Sequence, residues 1–505
     1  MTVLAPYPAP RRWVLPAARP RLRVFVALVL LVVAAGRAFY LAGPLRSDEA
    51  GYLLVARDWS LHGPFLYGHY FVDRPPLLLA LFKIASWIPY EAAIRLLANG
   101  AALVLVGAAA LAAREVGGHR SARWAAVVAA ALALSPAAGA TEANGEIFAV
   151  PLVMLAVWTA LVAARTVALP RTRVLAGVAA GASGVAAVMV KQSFVDGAAF
   201  AAVLVVTSVL MRRLTPREGG LAATGGVLGA VLVLLPMLGY AAASGAGVRG
   251  AIWTLLGFRS SALTVIGTHS LGAVQSRALT LAALSLVSGA APVLVLLARH
   301  ALRRGTGRTP LGWTIAATAG VELASIAAGG NFWQHYLVQL DPMVALGLGL
   351  LAPRHELFRK AAVFVLASAL AMTVSNDLIG TNRSRDGYLA GRWVHDSAQR
   401  GDTATVLFGH AEVLEGAGLP SPYPHLWSLP TRILDPRLIR LRHTLASGPT
   451  WVVVWDGVNT WGIDGRGSVR TVLRAHFRRV GTVCGHQVWL RDGVERPLPP
   501  LPVCH

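Results

Sequence analysis

About eleven apolar segments, each near the minimum length that crosses a bilayer, constrain this chain more than any other feature. The first, from Val24 to Gly43, reads VFVALVLLVVAAGRAFYLAG. Its roughly 20 residues at 1.5 Å rise match a hydrocarbon core of about 30 Å. Further spans are predicted at roughly 91–113, 124–140, 146–164, 174–190, 194–211, 221–243, 279–299, 311–328, 336–352 and 361–376. Ala34-Ala35-Gly36 also fits a signal-peptide cleavage site, but the ten later segments favour an anchor. Composition agrees: 55% of the 505 residues are hydrophobic and 14% charged, whereas a soluble domain carries about 25% charge. A soluble enzyme is excluded as the main reading.

The net charge of +22 would suggest a polyanion partner in a soluble protein. Here the basic residues fall between apolar runs, so no nucleic-acid partner is expected. Arg11, Arg12, Arg19, Arg21 and Arg23 precede the first span. Alternate loops then carry Arg114, Arg120 and Arg123; Arg165, Arg171 and Arg173; Arg212, Arg213 and Arg217; Arg299, Arg303, Arg304 and Arg308; and Arg354, Arg359 and Lys360. About 21 basic residues on one side against about eight in the other loops is the positive-inside bias. It predicts a cytoplasmic N-terminus (1–23), a multi-pass segment (24–376) in the inner, or plasma, membrane, and an extracytoplasmic tail.

That tail, 377–505, holds 15 Arg and 11 acidic residues and no run long enough to span. ATVLFGH (404–410), WVVVWDG (451–457) and HQVWLRDG read as strands, and VRTVLRAHFRRV (469–480) has helical spacing. The fold class is therefore an all-α polytopic membrane protein with a small C-terminal α/β domain. Cys484 and Cys504 permit one disulfide, but sequence does not show their separation.

The first outer loop, 44–90, carries the chemistry. From Asp48 to Trp59 apolar residues recur at helical spacing, with Asp48 and Glu49 where a helix N-terminus favours carboxylates. Leu77 to Ile88 is too short to span, and Pro75-Pro76 set its start. Both pieces are predicted as helices on the membrane surface. Acidic residues gather on this side, at Asp48, Glu49, Asp58, Asp73, Glu91, Glu142, Glu146 and Asp196. Asp58 and Glu91 read as solvated. Asp48 and Glu49 stand directly after the first span, where a base facing a lipid-borne substrate would sit.

The pattern resembles glycosyltransferase family 39, the protein O-mannosyltransferases and bacterial aminoarabinose transferases of GT-C fold. The residues that carry it are Ser47-Asp48-Glu49-Ala50 with Tyr52 and Val55-Ala56-Arg57, Asp73-Arg74-Pro75-Pro76-Leu77, and Ala92-Ala93-Ile94-Arg95-Leu96. Later come Glu142-Ala143-Asn144-Gly145-Glu146, Val190-Lys191-Gln192, and NFWQHYLVQLDP from Asn331 to Pro342. The motifs are short; their joint order spans roughly 24–350. Two departures stand out. The family usually has Lys where this chain has Arg74, which makes a phosphate contact a planar fork, and Glu146 replaces what is commonly Asp.

The resemblance implies a polyprenyl-phosphate-linked sugar donor, an acceptor hydroxyl on a glycan, lipid or protein, and transfer with inversion. Asp48 is the expected base, supported by Glu49 or Glu146, and Arg74, Lys191 and Arg95 the expected phosphate ligands. Asp73, Tyr52, His335, Tyr336 and Glu322 are expected around the substrates. Glu322 sits inside a span, paired with Arg37 or Arg95 or lining the acceptor path. An aromatic belt accounts equally for Phe332, Trp333 and Tyr336. His62 and His69 with Asp48 and Asp73 offer ligands for a divalent metal, without diagnostic spacing. A transporter of lipid-linked saccharides, which would usually show repeats and broken helices, and a noncatalytic envelope scaffold are the competing classes.

Overall fold

The computed structural model describes residues 20–88, 93–136, 139, 142–269, 271–303, 309–379, 385–457 and 462–504. Arg11, Arg12, Arg19, Glu91, Ala92, Arg304 and Arg308 lie outside them.

Helices dominate: α1 (Pro20–Ala38), α2 (Ser47–Arg57), α3 (Pro76–Ser86), α4 (Ala93–Leu134), α5 (Gly145–Ala163), α6 (Pro170–Val190), α7 (Asp196–Leu210) and α8 (Pro216–Ala243). After α9 (Gly247–Ile252) comes a π-helical turn, Trp253–Gly257, and then α10 (Phe258–His269), α11 (Leu271–Val287), α12 (Ala290–Leu302) and α13 (Pro310–Ala328). A 3-10 segment, Gln334–Leu340, leads into α14 (Asp341–Leu351) and α15 (Glu356–Ile379). Proline in the first turn of α3, α6, α8 and α13 explains where they begin, since its missing N–H has no partner there in any helix.

Among the described residues six helices, α4, α5, α6, α8, α13 and α15, are long and apolar enough to cross a membrane. The chain is a multi-pass membrane protein. The predicted spans 91–113 and 124–140 are the two parts of α4, broken at Gly118, whose φ of 75° is left-handed. The span expected at 279–299 is not one helix. It divides between α11 and α12 at Gly289, φ 82°. Helices α6 and α8 pack backbone to backbone: a Cβ on Gly181 would strike the Gly226 carbonyl, and one on Gly229 the Val178 carbonyl. Small residues at such contacts substitute close van der Waals packing for the hydrophobic drive that lipid removes.

The tail forms α16 (Asp386–Ser397), β1 (Ala404–Leu407), α17 (Ala411–Ala417), α18 (Ser428–Leu434), α19 (Ile439–Ser447), β2 (Trp451–Val454), α20 (Ser468–His476), β3 (Phe477–Val483) and β4 (His486–Arg491). The sheet order is β1-β2-β4-β3, with β1 parallel to β2 and the other pairs antiparallel. Trp451 and Val453 enter the large core shared with the membrane helices, while Val452 and Val454 enter a second core with Leu441, Leu445 and Leu473. This two-faced burial is why WVVV is continuously apolar. The helix predicted for 469–480 stops at His476. Phe477 begins β3 because Cys484 and Gly485, both at positive φ, close a two-residue hairpin onto β4. Cys484 and Cys504 form a disulfide.

The loop helices differ from the surface pair expected. Glu49, Ala50, Gly51, Tyr52, Leu53, Val55 and Ala56 of α2 are all buried. Helix α2 is held between α3 and the tail's α17, whose Ala411 N–H meets Ser47 Oγ at 3.3 Å and whose Glu415 takes Arg57 at 2.5 Å. The tail covers the apolar face that the sequence reading turned toward lipid.

Candidate active site

A cavity of about 1150 Å³ lies between the helical part and the tail. From the first loop it is lined by Asp48, Tyr52, Asp73 and Arg74, from the helical part by Lys191, Arg259, Arg277, His335 and Tyr336, and from the tail by His410, Glu412, Trp427, Trp455 and Asp456.

Asp48 is half-buried in the first turn of α2. Trp427 Nε1 donates to its Oδ1 at 2.9 Å, and among the described residues Oδ2 receives nothing. Gly51 makes this contact feasible, because a Cβ there would run into the Trp427 ring. Tyr52 packs on the same indole at 5.4 Å between centroids. One carboxylate oxygen is thus fixed by an indole, and the other carries no hydrogen bond among the described residues.

Asp73 and Arg74 are pinned through their backbone. Tyr67 Oη donates to the Arg74 carbonyl and Gln192 Nε2 to the Asp73 carbonyl, each at 2.6 Å. Arg74 Nη1 reaches Asp73 Oδ1 at 2.8 Å, Arg259 Nε reaches Asp73 Oδ2 at 3.3 Å, and Arg74 Nε donates to Tyr52 Oη at 2.9 Å. Burial opposes ionisation of Asp73, but Arg74 and Arg259 hold its carboxyl below the usual range. Burial likewise disfavours the Arg74 charge, and Asp73 outweighs it, so the guanidinium is held above its ordinary value. The result is a wall of the Arg74 and Arg259 guanidinium groups, with the Lys191 amine paired to Glu146 beside them. Arg277 extends it, 4.5 Å over the Trp333 ring with Nε on the Asn331 carbonyl at 2.8 Å.

Glu49 and Arg95 stand apart from the rest of the expected set. Glu49 is 1% exposed and does not line the cavity. Its Oε1 takes Arg95 Nε and Ala143 N–H, each at 2.9 Å, and its Oε2 takes Arg95 Nη2 at 2.6 Å and Arg46 N–H at 2.9 Å. Arg95 also donates to the carbonyls of Tyr40, Gly43 and Pro44. With both contacts to Glu49, that uses the five donors a guanidinium has. Arg95 borders the cavity but keeps no N–H for a phosphate.

Glu146 is buried behind the wall, paired with Lys191 Nζ and 3.4 Å from His335 Nε2. Lys191 Nζ also lies 4.7 Å over the Tyr336 ring. Asn144 caps α5 by accepting the Ile147 N–H at 3.1 Å, which sets Glu146 in the helix's first turn.

Glu322 corrects the sequence reading. It is fully buried, neither of its oxygens has a hydrogen-bond partner among the described residues, and it pairs with neither Arg37 nor Arg95. Arg37 Nη1 donates instead to the Ala133 carbonyl at 2.9 Å, and Arg95 is consumed by Glu49. Nor do His62, His69, Asp48 and Asp73 assemble. His62 is exposed, and His69 Nε2 meets the Ser421 carbonyl at 3.1 Å. Among the described residues, the one His/Cys/Asp/Glu trio with mutually close ligand atoms is Asp386, Cys484 and Cys504, whose cysteines are disulfide-bonded.

Arg259, Arg277 and Trp427 escaped the sequence reading. The first two had a signal: they are cations between the spans expected at 221–243 and 279–299, on the side where the positive-inside bias predicts few. Trp427 had none, because its place follows from the tail's packing.

Six or more apolar spanning helices with a small four-stranded sheet domain are the fold of the GT-C membrane glycosyltransferases. No protein-family model matches the chain, and no curated protein sequence does. Solved structures do match. ArnT from Cupriavidus metallidurans bound to undecaprenyl phosphate is 15% identical over 94% of this chain and 98% of its own, with a TM-score of 0.65. The apo form of the same protein gives 14%, 92%, 98% and 0.64. The Archaeoglobus fulgidus oligosaccharyltransferase in complex with Zn and sulfate is 13% identical over 89% of this chain and 71% of its own, with a TM-score of 0.58.

Proposed function

We propose that this protein is an inverting glycosyltransferase that moves a sugar from a polyprenyl-phosphate carrier to an acceptor hydroxyl. The observation that carries the reading is that one cavity is lined both by a carboxylate with an unengaged oxygen and by the basic side chains Arg74, Arg259 and Lys191. The GT-C fold supports it, as does the undecaprenyl phosphate in the ArnT structure.

In this scheme Arg74, Lys191 and Arg259 hold the donor phosphate. The acceptor O–H presents its proton to Asp48 Oδ2 while its oxygen attacks the anomeric carbon opposite the phosphate. The carbon–oxygen bond to the phosphate breaks, the electron pair leaves on the polyprenyl phosphate, and the proton stays on Asp48. A carboxylate base contributes about 10²–10⁴-fold, and positioned cations stabilise the charge that develops on the leaving oxygen. Tyr52 and Asp73 orient Arg74. Glu146, with His335 and Tyr336, sets the position of Lys191. Glu49 and Arg95 serve as a structural clamp on the loop instead of as base and phosphate ligand. The positive-inside pattern supports an inner-membrane location, with the N-terminus cytoplasmic and the cavity on the opposite side.

The test is turnover. Purified protein receives radiolabelled polyprenyl-phosphate hexoses and pentoses with cell-envelope acceptors, and label is followed into product. Transfer that disappears in Asp48→Asn is the expected result. No turnover with any lipid donor, together with transport of the lipid-linked sugar across vesicles, would establish the transporter class instead.

A further inference from the structure

The tail's parallel pair, β1 and β2, ends at the cavity. Residues following their carboxyl ends, Phe408–His410 after β1 and Trp455-Asp456 after β2, line it. In α/β sheets that edge is where ligands bind. The β1 end also carries three consecutive positive φ angles: 67° at Phe408, 126° at Gly409 and 61° at His410. Two of these are non-glycine residues in a region that L side chains avoid, and such strain concentrates at ligand sites.

The strained turn aims specific groups. His410 stacks on Trp455 at 4.5 Å and Trp455 on His486 at 3.6 Å, so the His410 ring is held rigidly. Its Nδ1 meets Glu412 Oε1 at 2.8 Å. Glu412 Oε2 is buried without a hydrogen-bond partner among the described residues. Gly387 makes room for this carboxylate, since a Cβ there would come within 2.6 Å of Glu412 Cγ. Asp456 borders the same end of the cavity. Ala411 N–H on Ser47 Oγ joins this edge to the turn of α2 that bears Asp48.

We propose that the carboxyl ends of β1 and β2 form the acceptor subsite and take a neutral saccharide, whose hydroxyls donate to Glu412 and Asp456 beside the His410 ring. This rests on the transferase reading of the cavity and names its acceptor class. Carboxylates accept hydroxyl protons strongly and disfavour a phosphorylated or carboxylated ligand. Arg385 and Arg432 also border the cavity, but Arg432 is committed to α10 through the Val265 carbonyl.

Saturation-transfer NMR and calorimetry on the full chain in detergent, without donor, test it with neutral hexasaccharides of glucose, mannose and arabinose. At least one is expected to bind saturably. Glu412→Gln and Asp456→Asn are each expected to weaken it about tenfold or more. Gly387→Ala, which displaces Glu412 but keeps its charge, should weaken it similarly, and retained polyprenyl-phosphate binding shows that the variants are folded. Absence of binding by all three sugars, unchanged affinity in Glu412→Gln, or preference for a phosphorylated saccharide over its neutral counterpart would overturn the proposal. Saccharide binding without turnover would separate failure of the transferase reading from failure of this one.

Discussion

Neighbouring carboxylates on one helical turn are given opposite tasks by their surroundings, and the pair of substitutions Asp48→Asn and Glu49→Gln separates those tasks. Glu49 accepts four hydrogen bonds, two of them from one guanidinium, at 2.6–2.9 Å and 1% exposure. Glutamine keeps the shape but places an NH₂ against a donor, leaving Arg95 buried beside a neutral group. Breaking a buried ion pair from one side costs about 3–5 kcal/mol, a large fraction of the roughly 5–15 kcal/mol that holds a typical domain. Asp48 is half-buried with a single indole donor, which the amide oxygen of asparagine can still accept. Its stability cost is about 1 kcal/mol or less, and its catalytic cost about 10²–10⁴-fold. Thermal unfolding in detergent, followed by tryptophan fluorescence, reports the first effect, and turnover with a labelled lipid donor the second. Glu49→Gln should lower the transition temperature clearly and keep measurable turnover below it. Asp48→Asn should do the reverse. The division of roles is wrong if Glu49→Gln unfolds like wild type, or if Asp48→Asn retains more than a tenth of wild-type turnover.

Gly51→Ala forces the Trp427 indole off α2; overpacking of this kind costs about 1–3 kcal/mol, and turnover should fall with it because Asp48 loses its anchor, both checked in the assays above. Glu142 lines the cavity with Arg46 Nη1 at 3.2 Å, and burial pushes its carboxyl up from 4.5 to about 7. The folded protein therefore binds the extra proton between those values, so stability from this group is present below about 4.5 and lost as pH rises through 7; relative to wild type, Glu142→Gln should gain up to about 3 kcal/mol between pH 4.5 and pH 8, and parallel melting curves at the two pH values refute this if flat. Glu322→Leu should raise the melting temperature, because it removes buried polar atoms that have no hydrogen-bond partner among the described residues, at a cost of about 1–3 kcal/mol; a lowered melting temperature would mean that the carboxyl is engaged.

What the sequence made legible follows from the range of the forces involved. Spanning helices depend on apolar length and flanking charge, both local, so α4, α5, α6, α8, α13 and α15 could be read directly, whereas the spans expected at 24–43, 194–211, 279–299 and 336–352 meet helices that are too short, too charged or divided. Breaks within them could not: Gly118 and Gly289 sit in runs as apolar as any other, and only their left-handed φ ends a helix. The strand run WVVV was readable because burial on both faces leaves no polar residue in it. The end of α20 was not, since residues 477–480 keep helical spacing and are drawn into β3 by pairing with β4. At the site, Asp48, Asp73, Arg74 and Lys191 lie in short motifs, and the structure brings all four to one cavity. Glu49 and Arg95 lie in equally good motifs, yet what distinguishes them is whom they meet: each saturates the other.

The same contrast explains why the tail is necessary to the site. Without it, Gly51 and Tyr52 would lose the Trp427 ring packed on them, and Asp48 would be a free carboxylate at a helix start. Trp427 fixes one oxygen, His69 and Tyr70 tie the loop to Ser421, and Phe71 N–H meets the Pro424 carbonyl at 3.1 Å. Each of these contacts joins the donor-side loop to a segment more than 350 residues later in the chain. Asp48 and the strand-end edge are thus joined through Trp427 and Ser47, and Arg74 belongs to the same tied loop. Under the proposed mechanism this arrangement would let a hydroxyl reach Asp48 from the tail while Arg74 and Arg259 hold the phosphate from the loop and α10.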